Sequence, residues 1–396
     1  MLVNRAYKTE LNPNNKQITL FLKSAGTARF AYNWGLQCKK ELYQATGKSP
    51  SAIDLHRKLN RLKQIEYPWM YEVSKCCPQE ALRDLDTAYQ RFFKGISGYP
   101  RFKSKKKGIG SFRLTGAIKI SSDKIQLPRL GIIKLKEKNY LPVNKHILSA
   151  TVSERADRWF VSVSVREKID ISENVGGVVG LDLGVNNLVT CSDGEAFSNP
   201  KALRRSERKL KRLQRSLSKK KKGGNNRNKA RQKIAKMYIR IANIRGDNIH
   251  KITSQLAKNK SIIVIEDLNN NGMLRNHKLA KSLADASFGE IRRQLEYKST
   301  WYGSKLIIAN RWLPSSKMCS YCGNVKEISL SERIYKCPVC GFEADRDLNA
   351  ALNLESVAVS STETLNACGE DVRHDGNITQ TSMNQELNTV RSVMDG

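Results

Sequence analysis

The sequence predicts a multidomain protein of the α+β class. Three features support this prediction: helical periodicity near the amino terminus, short alternating segments in the middle, and apolar strands followed by paired cysteines near the carboxyl terminus. With 396 residues, 39% of them hydrophobic, the chain can bury several cores. It is also too long for one ordinary domain, so we expect about two to four.

The amino-terminal region has the periodicity of helices. Residues 14–46 and 51–94 repeat apolar side chains at helical spacing, including Ala28, Ala31 and Leu36 in the first stretch. We expect a helical domain here.

From Phe112 to Val165 the pattern changes to short alternating segments such as FRL, KIQL and GIIKL, separated by Gly, Pro and Ser-Asp turns. We expect these segments to form a small β-barrel. The segments TVSE and WFVSVSV should pair as one of its hairpins across the turn RADR.

The stretch VVGLDLGVNNLVTCSDG, residues 178–194, contains a carboxylate within an otherwise apolar run. Its two strands, 178–183 and 187–191, are apolar enough to be central strands of a covered sheet. Burying the unpaired carboxylate of Asp182 is costly, so a Lys, an Arg or a metal ion must neutralise it. A further apolar strand, SIIVIEDLN, ends in Glu266.

Residues 201–240 hold eighteen Lys and Arg against one acid, Glu207, in two helical stretches joined by the polar loop SKKKKGGNNRNK. A solvated helical hairpin is the alternative, but it would need acids to offset the repulsion. We favour contact with a phosphate backbone. The candidate nucleic-acid-binding residues are Arg204, Arg205, Arg208, Lys211, Arg212, Arg215, Lys219, Lys220, Lys221 and Lys222.

The charge balance of the whole chain points the same way. Seventy Lys and Arg against 37 Asp and Glu give a formal net charge of +33, which indicates a polyanionic partner, nucleic acid first. No apolar run approaches the roughly 20 residues that span a bilayer, and the first residues lack the apolar centre of a signal peptide. We therefore expect a cytoplasmic protein without membrane contact.

Four of the nine cysteines lie within 22 residues, in CSYCG and CPVCG. Two C-x2-C turns, each followed by glycine, can aim four thiolates at one tetrahedral zinc ion, which we favour over reduced thiols or a redox pair. Four protein ligands leave no open position, so such a zinc is structural. The predicted ligands are Cys319, Cys322, Cys337 and Cys340. Five cysteines receive no role: Cys38, Cys76, Cys77, Cys191 and Cys368.

The cysteine ribbon separates the strand KLIIAN from a short helix that begins near Asp347. As an insertion, it returns a third acid towards Asp182 and Glu266. In a ribonuclease H-type fold, acids at such positions converge on one sheet edge and bind two Mg2+ ions about 4 Å apart. Each acid alone could instead be a cap or an ion-pair partner.

A second alternative for this region is a sugar kinase-like ATPase, because DLG after an apolar strand also opens the phosphate-binding hairpin of those proteins. That class needs a second glycine-rich phosphate loop, and none is visible in the sequence. The excess of Lys and Arg also favours a nucleic acid substrate over ATP.

Four motifs together resemble the TnpB (OrfB-like) family of transposon-encoded proteins, which is related to the compact type V CRISPR nucleases. They are TARFAYNWGL at 27–36, GLDLGVNNLVTCSDG at 180–194, the segment VIEDLNNNGMLRNHKLAKSLADASFGEIRRQLEYKS at 264–299, and RWLPSSKMCSYCG through CPVCGFEADRDLNAALNL. The resemblance covers nearly the whole chain. It implies that Asp182, Glu266 and Asp347 are RuvC-type catalytic acids, and that the four cysteines bind zinc.

The resemblance also implies a domain organisation. The expected domains are a β-barrel wedge domain at 1–10 and 105–172, a helical recognition domain at 11–104, a ribonuclease H-like (RuvC-type) nuclease domain at 173–312 and 346–358, a target-binding zinc ribbon at 313–345, and a disordered tail at 359–396.

The implied activity is that of an RNA-guided, Mg2+-dependent DNA endonuclease. Its guide RNA would come from the transposon end, the protein would read a short motif on double-stranded DNA, and base pairing would read the target. Cutting would promote retention of the element, while a partner tyrosine transposase encoded nearby would catalyse transposition without direct contact being implied.

Two details of this implied role stay open at this point. Some relatives have lost catalytic acids and act as RNA-guided repressors, but all three positions here are acidic, so we expect cleavage. Asp345 lies two residues before Asp347 and could face the metals instead; the motif DRDLNAA favours Asp347.

Overall fold

The computed structural model describes residues 1–329 and 332–367. These residues form a mixed α/β, multidomain structure with two compact units. The first unit comprises Met1–Ile171 and Arg205–Asn243, and the second comprises Ser172–Arg204 and the described residues from Ile244 onwards.

The first unit contains an antiparallel sheet of seven strands in the order β2-β6-β7-β1-β5-β4-β3. The strands are β1 (Leu2–Asn12), β2 (Ser111–Leu114), β3 (Lys119–Ile120), β4 (Lys124–Leu127), β5 (Gly131–Leu135), β6 (His146–Arg155) and β7 (Arg158–Lys168). Alternate side chains of β7, such as Val161, Val163 and Val165, are fully buried and form part of the core. Closure of this sheet into a barrel stays a prediction.

The predicted hairpin between β6 and β7 is confirmed, with Arg155 paired to Arg158 at its end. Its two turn residues, Ala156 and Asp157, have φ values of 51° and 61°. Positive φ at both positions is the geometry of a two-residue hairpin turn that matches the twist of the strands.

Three helices lie between β1 and β2 in the first unit: α1 (Asn15–Thr46), α2 (Ala52–Ile65) and α3 (Cys76–Phe93). Asn14 begins α1 with a capping box that includes Gln17. The second predicted helical stretch, 51–94, is divided rather than continuous. Pro68 starts a short 3-10 segment there, because proline cannot continue an α-helix.

The basic region forms the two predicted helices, α4 (Ala202–Ser218) and α5 (Asn225–Asn259). The second helix continues well beyond residue 240, where the predicted segment ended. Ile249, Ile252 and Leu256 extend its apolar face and are buried, which explains the extra length.

The second unit is built on a five-stranded sheet in the order β10-β9-β8-β11-β12. Its strands are β8 (Val178–Asp182), β9 (Asn187–Cys191), β10 (Ala196–Ser198), β11 (Ile262–Glu266) and β12 (Lys305–Ala309). Strands β8, β11 and β12 are mutually parallel, whereas β9 and β10 continue the sheet in antiparallel pairs. The helices α6 (Asn270–Met273), α7 (Ala280–Ala286) and α8 (Phe288–Tyr302) connect β11 to β12.

The two faces of this sheet are covered by different helices. Val179 and Leu181 of β8 share one core with Leu256 of α5 and Leu295 of α8. Val264 of β11 lies on the opposite face and packs with the last helix. Burial on both faces explains why β8 and β11 are apolar almost throughout.

The cysteine-containing segment forms a hairpin of β13 (Ile334–Lys336) and β14 (Glu343–Asp345), and the last helix, α9 (Arg346–Ala367), follows directly. The helix is longer than the short one predicted and continues into the segment expected to be disordered. Leu354 and Ala358 are buried against the sheet, so the apolar face of the helix continues to residue 358, beyond the short helix predicted. The rest of the predicted tail, 368–396, lies outside the described residues.

Within the described part of the chain, none of the helices combines the length and the apolar character that crossing a membrane requires.

Candidate metal centres

Asp182 and Glu266 lie on neighbouring parallel strands at the same end of the second sheet. Leu181 pairs with Ile265 in the register of β8 and β11, and the two acids are the next residues. Adjacent strands lie about 4.8 Å apart, and side chains alternate between faces. Because Leu181 and Ile265 face α5 and α8, both acids lie on the face that α9 covers.

Helix α9 brings Asp347 to the same edge. The helix packs closely on β8 at Gly180, where a Cβ atom would overlap the carbonyl oxygen of Ala351. Asp347 lies in the first turn of α9, and a Cβ atom at Gly184, just after β8, would be 4.0 Å from its Oδ2. The structure therefore brings the three predicted acids, Asp182, Glu266 and Asp347, together.

The electrostatics of this edge favour a bound cation. Burial, and after it the negative charges of Glu266 and Asp347, together raise the pKa of Asp182 to about 8, while Arg346 acts in the opposite direction. Asp182 is therefore largely protonated near neutral pH, and added positive charge would favour its ionised form. Carboxylate oxygens are the ligands that Mg2+ prefers, so the donor set fits this ion.

Two neighbouring groups hold this arrangement in place. The Ser315 hydroxyl donates a hydrogen bond to Glu266 Oε1. Asp345 Oδ1 accepts hydrogen bonds from the backbone amides of Asp347 at 2.9 Å and Leu348 at 3.2 Å. Asp345 thus caps the amino terminus of α9, and its negative charge adds to the raised pKa of Asp182, after those of Glu266 and Asp347.

The four predicted zinc ligands form one compact cluster, in which all four sulfur atoms lie within 4.8 Å of one another. The Sγ atoms of Cys319 and Cys340 are 3.7 Å apart, and those of Cys322 and Cys337 are 3.6 Å apart. A tetrahedral zinc with Zn–S bonds of about 2.3 Å has sulfur–sulfur edges of about 3.8 Å. The cluster therefore fits Zn2+ without rearrangement.

The two turns that carry the cysteines are built alike. The amide of Cys319 donates to the Asn324 carbonyl and that of Cys337 to the Phe342 carbonyl, both at 2.8 Å. The glycines after the second cysteines, Gly323 and Gly341, have φ values of 75° and 74°, which favour glycine. Amide groups from Cys340 and Val339 lower the pKa of Cys337 to about 6, so this thiol is prepared to bind a metal ion.

Two buried asparagines of α9 fasten the ribbon to the helix, and sequence reasoning missed both. Asn349 Nδ2 and Asn353 Nδ2 donate to the Met318 carbonyl, each at 2.7 Å, and Asn349 Oδ1 accepts from the Ser320 amide at 3.0 Å. Asn353 also donates to the Ser315 carbonyl at 2.7 Å. Their i, i+4 spacing in DRDLNAALNL was the available signal, because it places both on one helix face.

Three family models match the chain: one described as a probable transposase over residues 160–277, one as a Cas12f1-like TNB domain over 288–354, and one as a helix-turn-helix domain over 1–48. In the structure, the last range contains β1 and the single long helix α1. Together, the three models span the motifs that carried the resemblance, except residues 278–287 of the motif at 264–299.

Full-length relatives decide the family. A protein from Streptomyces pristinaespiralis named "Putative RNA-guided DNA endonuclease" is 36% identical over 94% of this chain and 92% of its own length. A protein of Escherichia coli (strain K12), with the same name followed by InsQ, is 32% identical over 93% of this chain and 95% of its own length. The chain belongs to the TnpB family.

A solved structure extends the relation of this TnpB family member to compact CRISPR nucleases. The chain aligns with Cas12f1 in a Cas12f1–sgRNA–target DNA complex with a TM-score of 0.54, covering 86% of this chain and 82% of that one. Sequence identity is 15%, so the similarity is one of fold.

The predicted nucleic-acid-binding residues of this TnpB family member lie on α4 and in the loop after it. All ten are exposed except Lys220, which is half-buried. Lys211 forms an ion pair with Glu207 at 2.9 Å. The loop is held by Arg227, whose Nη1 donates to the carbonyls of Leu217 at 2.8 Å and Lys220 at 3.1 Å.

Proposed function

We propose that this chain is an RNA-guided, Mg2+-dependent DNA endonuclease of the TnpB type. The observation that carries the proposal is the convergence of Asp182, Glu266 and Asp347 on one sheet edge, with the pKa of Asp182 raised to about 8. Such an edge needs added positive charge. The names of the full-length relatives are the reason for proposing an RNA guide and a DNA substrate.

The strand arrangement of the second unit supports a ribonuclease H-like (RuvC-type) core. The order β10-β9-β8-β11-β12, with three strands in antiparallel succession and two added in parallel, places the strand of Asp182 at the centre. The domain limits given from the sequence, including the wedge, recognition and ribbon segments, are part of this proposal.

The three acids would hold two Mg2+ ions. When bound, these ions supply an activated water and stabilise the leaving 3′ oxygen. Asp182 must lose its proton before its carboxylate can act as a ligand. Ser315 fixes the orientation of Glu266 through its hydrogen bond, and Asp345 fixes the first turn of α9, on which Asp347 lies.

The four cysteines would hold one structural Zn2+ and thereby order the ribbon against α9. With four sulfur ligands the ion has no open position, so it supplies no catalytic step. The ribbon would contact the target nucleic acid, as the resemblance implies.

The proposed partners are a guide RNA derived from the transposon end and a double-stranded DNA target with a short flanking motif. The exposed residues of α4 and its loop would contact phosphates, in keeping with the net charge of +33. The proposed biological role is retention of the element in a cytoplasmic setting. Transposition itself would be catalysed by a partner tyrosine transposase encoded nearby, with no direct contact implied.

The test is to express the gene with its native 3′ flank, purify the protein in high salt, and sequence the RNA that stays bound. The complex is then given plasmids with the matching target and a randomised flank, with Mg2+. We expect one RNA species, and cutting next to one short motif. Asp182→Ala should keep the RNA and the guided DNA binding but lose the cutting.

Two outcomes would contradict the proposal. Guided DNA binding without cutting by the unchanged protein would indicate a nuclease-inactive RNA-guided repressor. A heterogeneous host RNA that salt removes would exclude a dedicated guide.

A further inference from the structure

The loop that joins β12 to the ribbon, residues 310–315, is attached to Glu266 at both ends. Ala309, immediately before the loop, pairs with Glu266 in the register of β11 and β12. Ser315, at its far end, donates its hydroxyl hydrogen bond to Glu266 Oε1. The loop therefore lies at the sheet edge where the three acids converge.

The residues on either side of Trp312 are held firmly. Arg311 Nη2 contacts Asp267 Oδ2 at 2.5 Å, and its Nε donates to the Asp267 carbonyl at 3.2 Å. Asp267 is itself paired with Arg292 at 2.6 Å. Leu313 packs against the core that contains Val264 and Leu354.

Trp312 is exposed although both of its neighbours are anchored. Its side chain has a relative exposure of 85%, while its backbone amide donates to Asn310 Oδ1 at 2.9 Å. An indole ring in water forgoes the large gain of burying an aromatic surface. The fixed backbone thus presents an exposed aromatic ring at the end of the sheet where Glu266 lies.

The surroundings of Trp312 fit a nucleotide better than a protein partner. The groove beside it is lined by Asp267, Arg292, Ile308, Asn310 and Arg311, which are mostly polar. A protein partner generally needs a larger apolar patch than one ring. A nucleobase needs only one aromatic face, because every base has a π surface of its own.

We infer that Trp312 stacks on a base of the DNA strand that is being cut, in single-stranded form, and so positions that strand at Glu266. In a duplex, both faces of an internal base are already covered by its neighbours, so the strand must be separated. The inference rests on the proposed function, since it concerns the substrate of that same site.

The direct test is photocrosslinking with the full-length protein and its co-purified RNA. The probe is a single-stranded DNA target in which 5-iodo-2′-deoxyuridine replaces thymidine, and mass spectrometry locates the crosslinked peptide. We expect the crosslink at Trp312. Crosslinks that map only to other residues would overturn the inference.

Variants supply the functional test. Trp312→Ala should slow single-turnover cleavage about 5-fold to 150-fold, the equivalent of the stacking of one base. Trp312→Phe, which keeps an aromatic face, should recover most of that rate. Both variants should keep the zinc content and melting temperature of the unchanged protein, because the side chain is exposed. Cleavage by Trp312→Ala at the unchanged rate would contradict the inference.

Failure of the inference and failure of the proposed function give different results. If the unchanged complex cuts DNA but the crosslink lies elsewhere, only the role of Trp312 is wrong. If the complex crosslinks at Trp312 but never cuts, single-strand binding by Trp312 stands and the nuclease assignment fails.

Discussion

The second unit contains two candidate metal centres that are assembled in opposite ways. The four cysteines lie within 22 residues, on two turns of similar geometry, the second of which joins β13 to β14. The three acids lie on β8, β11 and α9, from Asp182 to Asp347. A local centre can therefore be recognised from spacing alone, whereas a dispersed centre depends on the register and packing of whole elements.

The two centres also differ in how they affect the stability of the fold when no metal ion is bound. Amide groups lower the pKa of Cys337 to about 6, whereas burial and the neighbouring thiols raise that of Cys340 to about 12, so the cluster has one thiolate ready for a metal ion. Burial and like charges raise the pKa of Asp182 to about 8, which opposes the ionised form. We therefore expect the ribbon to stabilise the fold once zinc is bound, and the acid centre to destabilise it until a cation arrives.

The largest effect should come from the ribbon. Cys337→Ser replaces a thiolate with a hydroxyl, and structural zinc sites contribute about 10–16 kcal/mol of binding free energy. We expect zinc content, measured by mass spectrometry, to fall from one ion per chain to a small fraction. The segment 313–345 should become sensitive to protease, while the buried sheet keeps its circular dichroism signal.

The matched control is Cys38→Ser, because Cys38 lies in α1 and outside the sulfur cluster. This variant should retain its zinc. Full zinc occupancy in Cys337→Ser would show that the four cysteines do not act together.

The second prediction tests whether Asp347 or Asp345 belongs to the acid centre, a choice that the sequence left open. Asp347→Asn should reduce the cleavage rate on the order of 10³-fold, as expected for a residue that acts with others as one catalytic unit. Asp345→Asn should cleave within a few-fold of the unchanged protein, because asparagine can accept the same two amide hydrogen bonds. The measurement is the single-turnover rate on guided plasmid DNA.

Zinc content should be unchanged in both variants, in contrast to Cys337→Ser, which should lose its zinc. Equal loss of cleavage in both variants would assign Asp345 to the centre as well. Normal cleavage by Asp347→Asn would remove Asp347 from it.

The contrast between the two centres also explains how much the sequence could predict. The spacing of the cysteines predicted a cluster that the structure contains, because a C-x2-C turn fixes its own geometry. The acids could be placed at strand and helix ends, but the proximity of Asp182 to Glu266 depends on the pairing of Leu181 with Ile265. No local pattern encodes that pairing.

Other features were missed for the same reason. Asn349 and Asn353 looked like ordinary helix residues, and their function as anchors requires carbonyls from a distant turn. The lengths of α5 and α9 are set by tertiary packing of apolar residues such as Leu256 and Ala358, which overrides local composition.

The smallest effect concerns the free energy of unfolding. It tests whether the acid centre destabilises the fold when no cation is bound. The pKa of Asp182 rises from 3.8 to about 8 on folding, so the folded state binds a proton that the unfolded state releases between these pH values. The stability of the Mg2+-free protein should therefore fall as the pH rises from 4 to 8. Asp182→Asn removes the charge and should stabilise this form at pH 8, by no more than the roughly 5 kcal/mol that this rise in pKa represents. The gain should vanish near pH 4, as urea denaturation can measure.

A control of opposite sign lies on the turn that follows β9. The hydrogen bond from Lys260, at 2.7 Å, lowers the pKa of Asp193, so its ionised form stabilises the fold above its unfolded pKa. Asp193→Asn should then destabilise the protein at pH 8, and the loss should disappear as the pH falls through the lowered pKa. If both variants change stability in the same direction, loss of charge alone does not explain the effect of Asp182.

Added Mg2+ should reverse the order of the unchanged protein and Asp182→Asn at pH 8. A ligand that binds only the folded state stabilises it by RT ln(1 + [L]/Kd), and Asp182→Asn lacks one of the ligating carboxylates. The unchanged protein should therefore gain stability with Mg2+, and the variant should gain less. If Asp182→Asn is more stable than the unchanged protein without Mg2+ and less stable with it, then Asp182 binds the metal ion and destabilises the fold in its absence. An equal response of both proteins to Mg2+ would place the ion elsewhere.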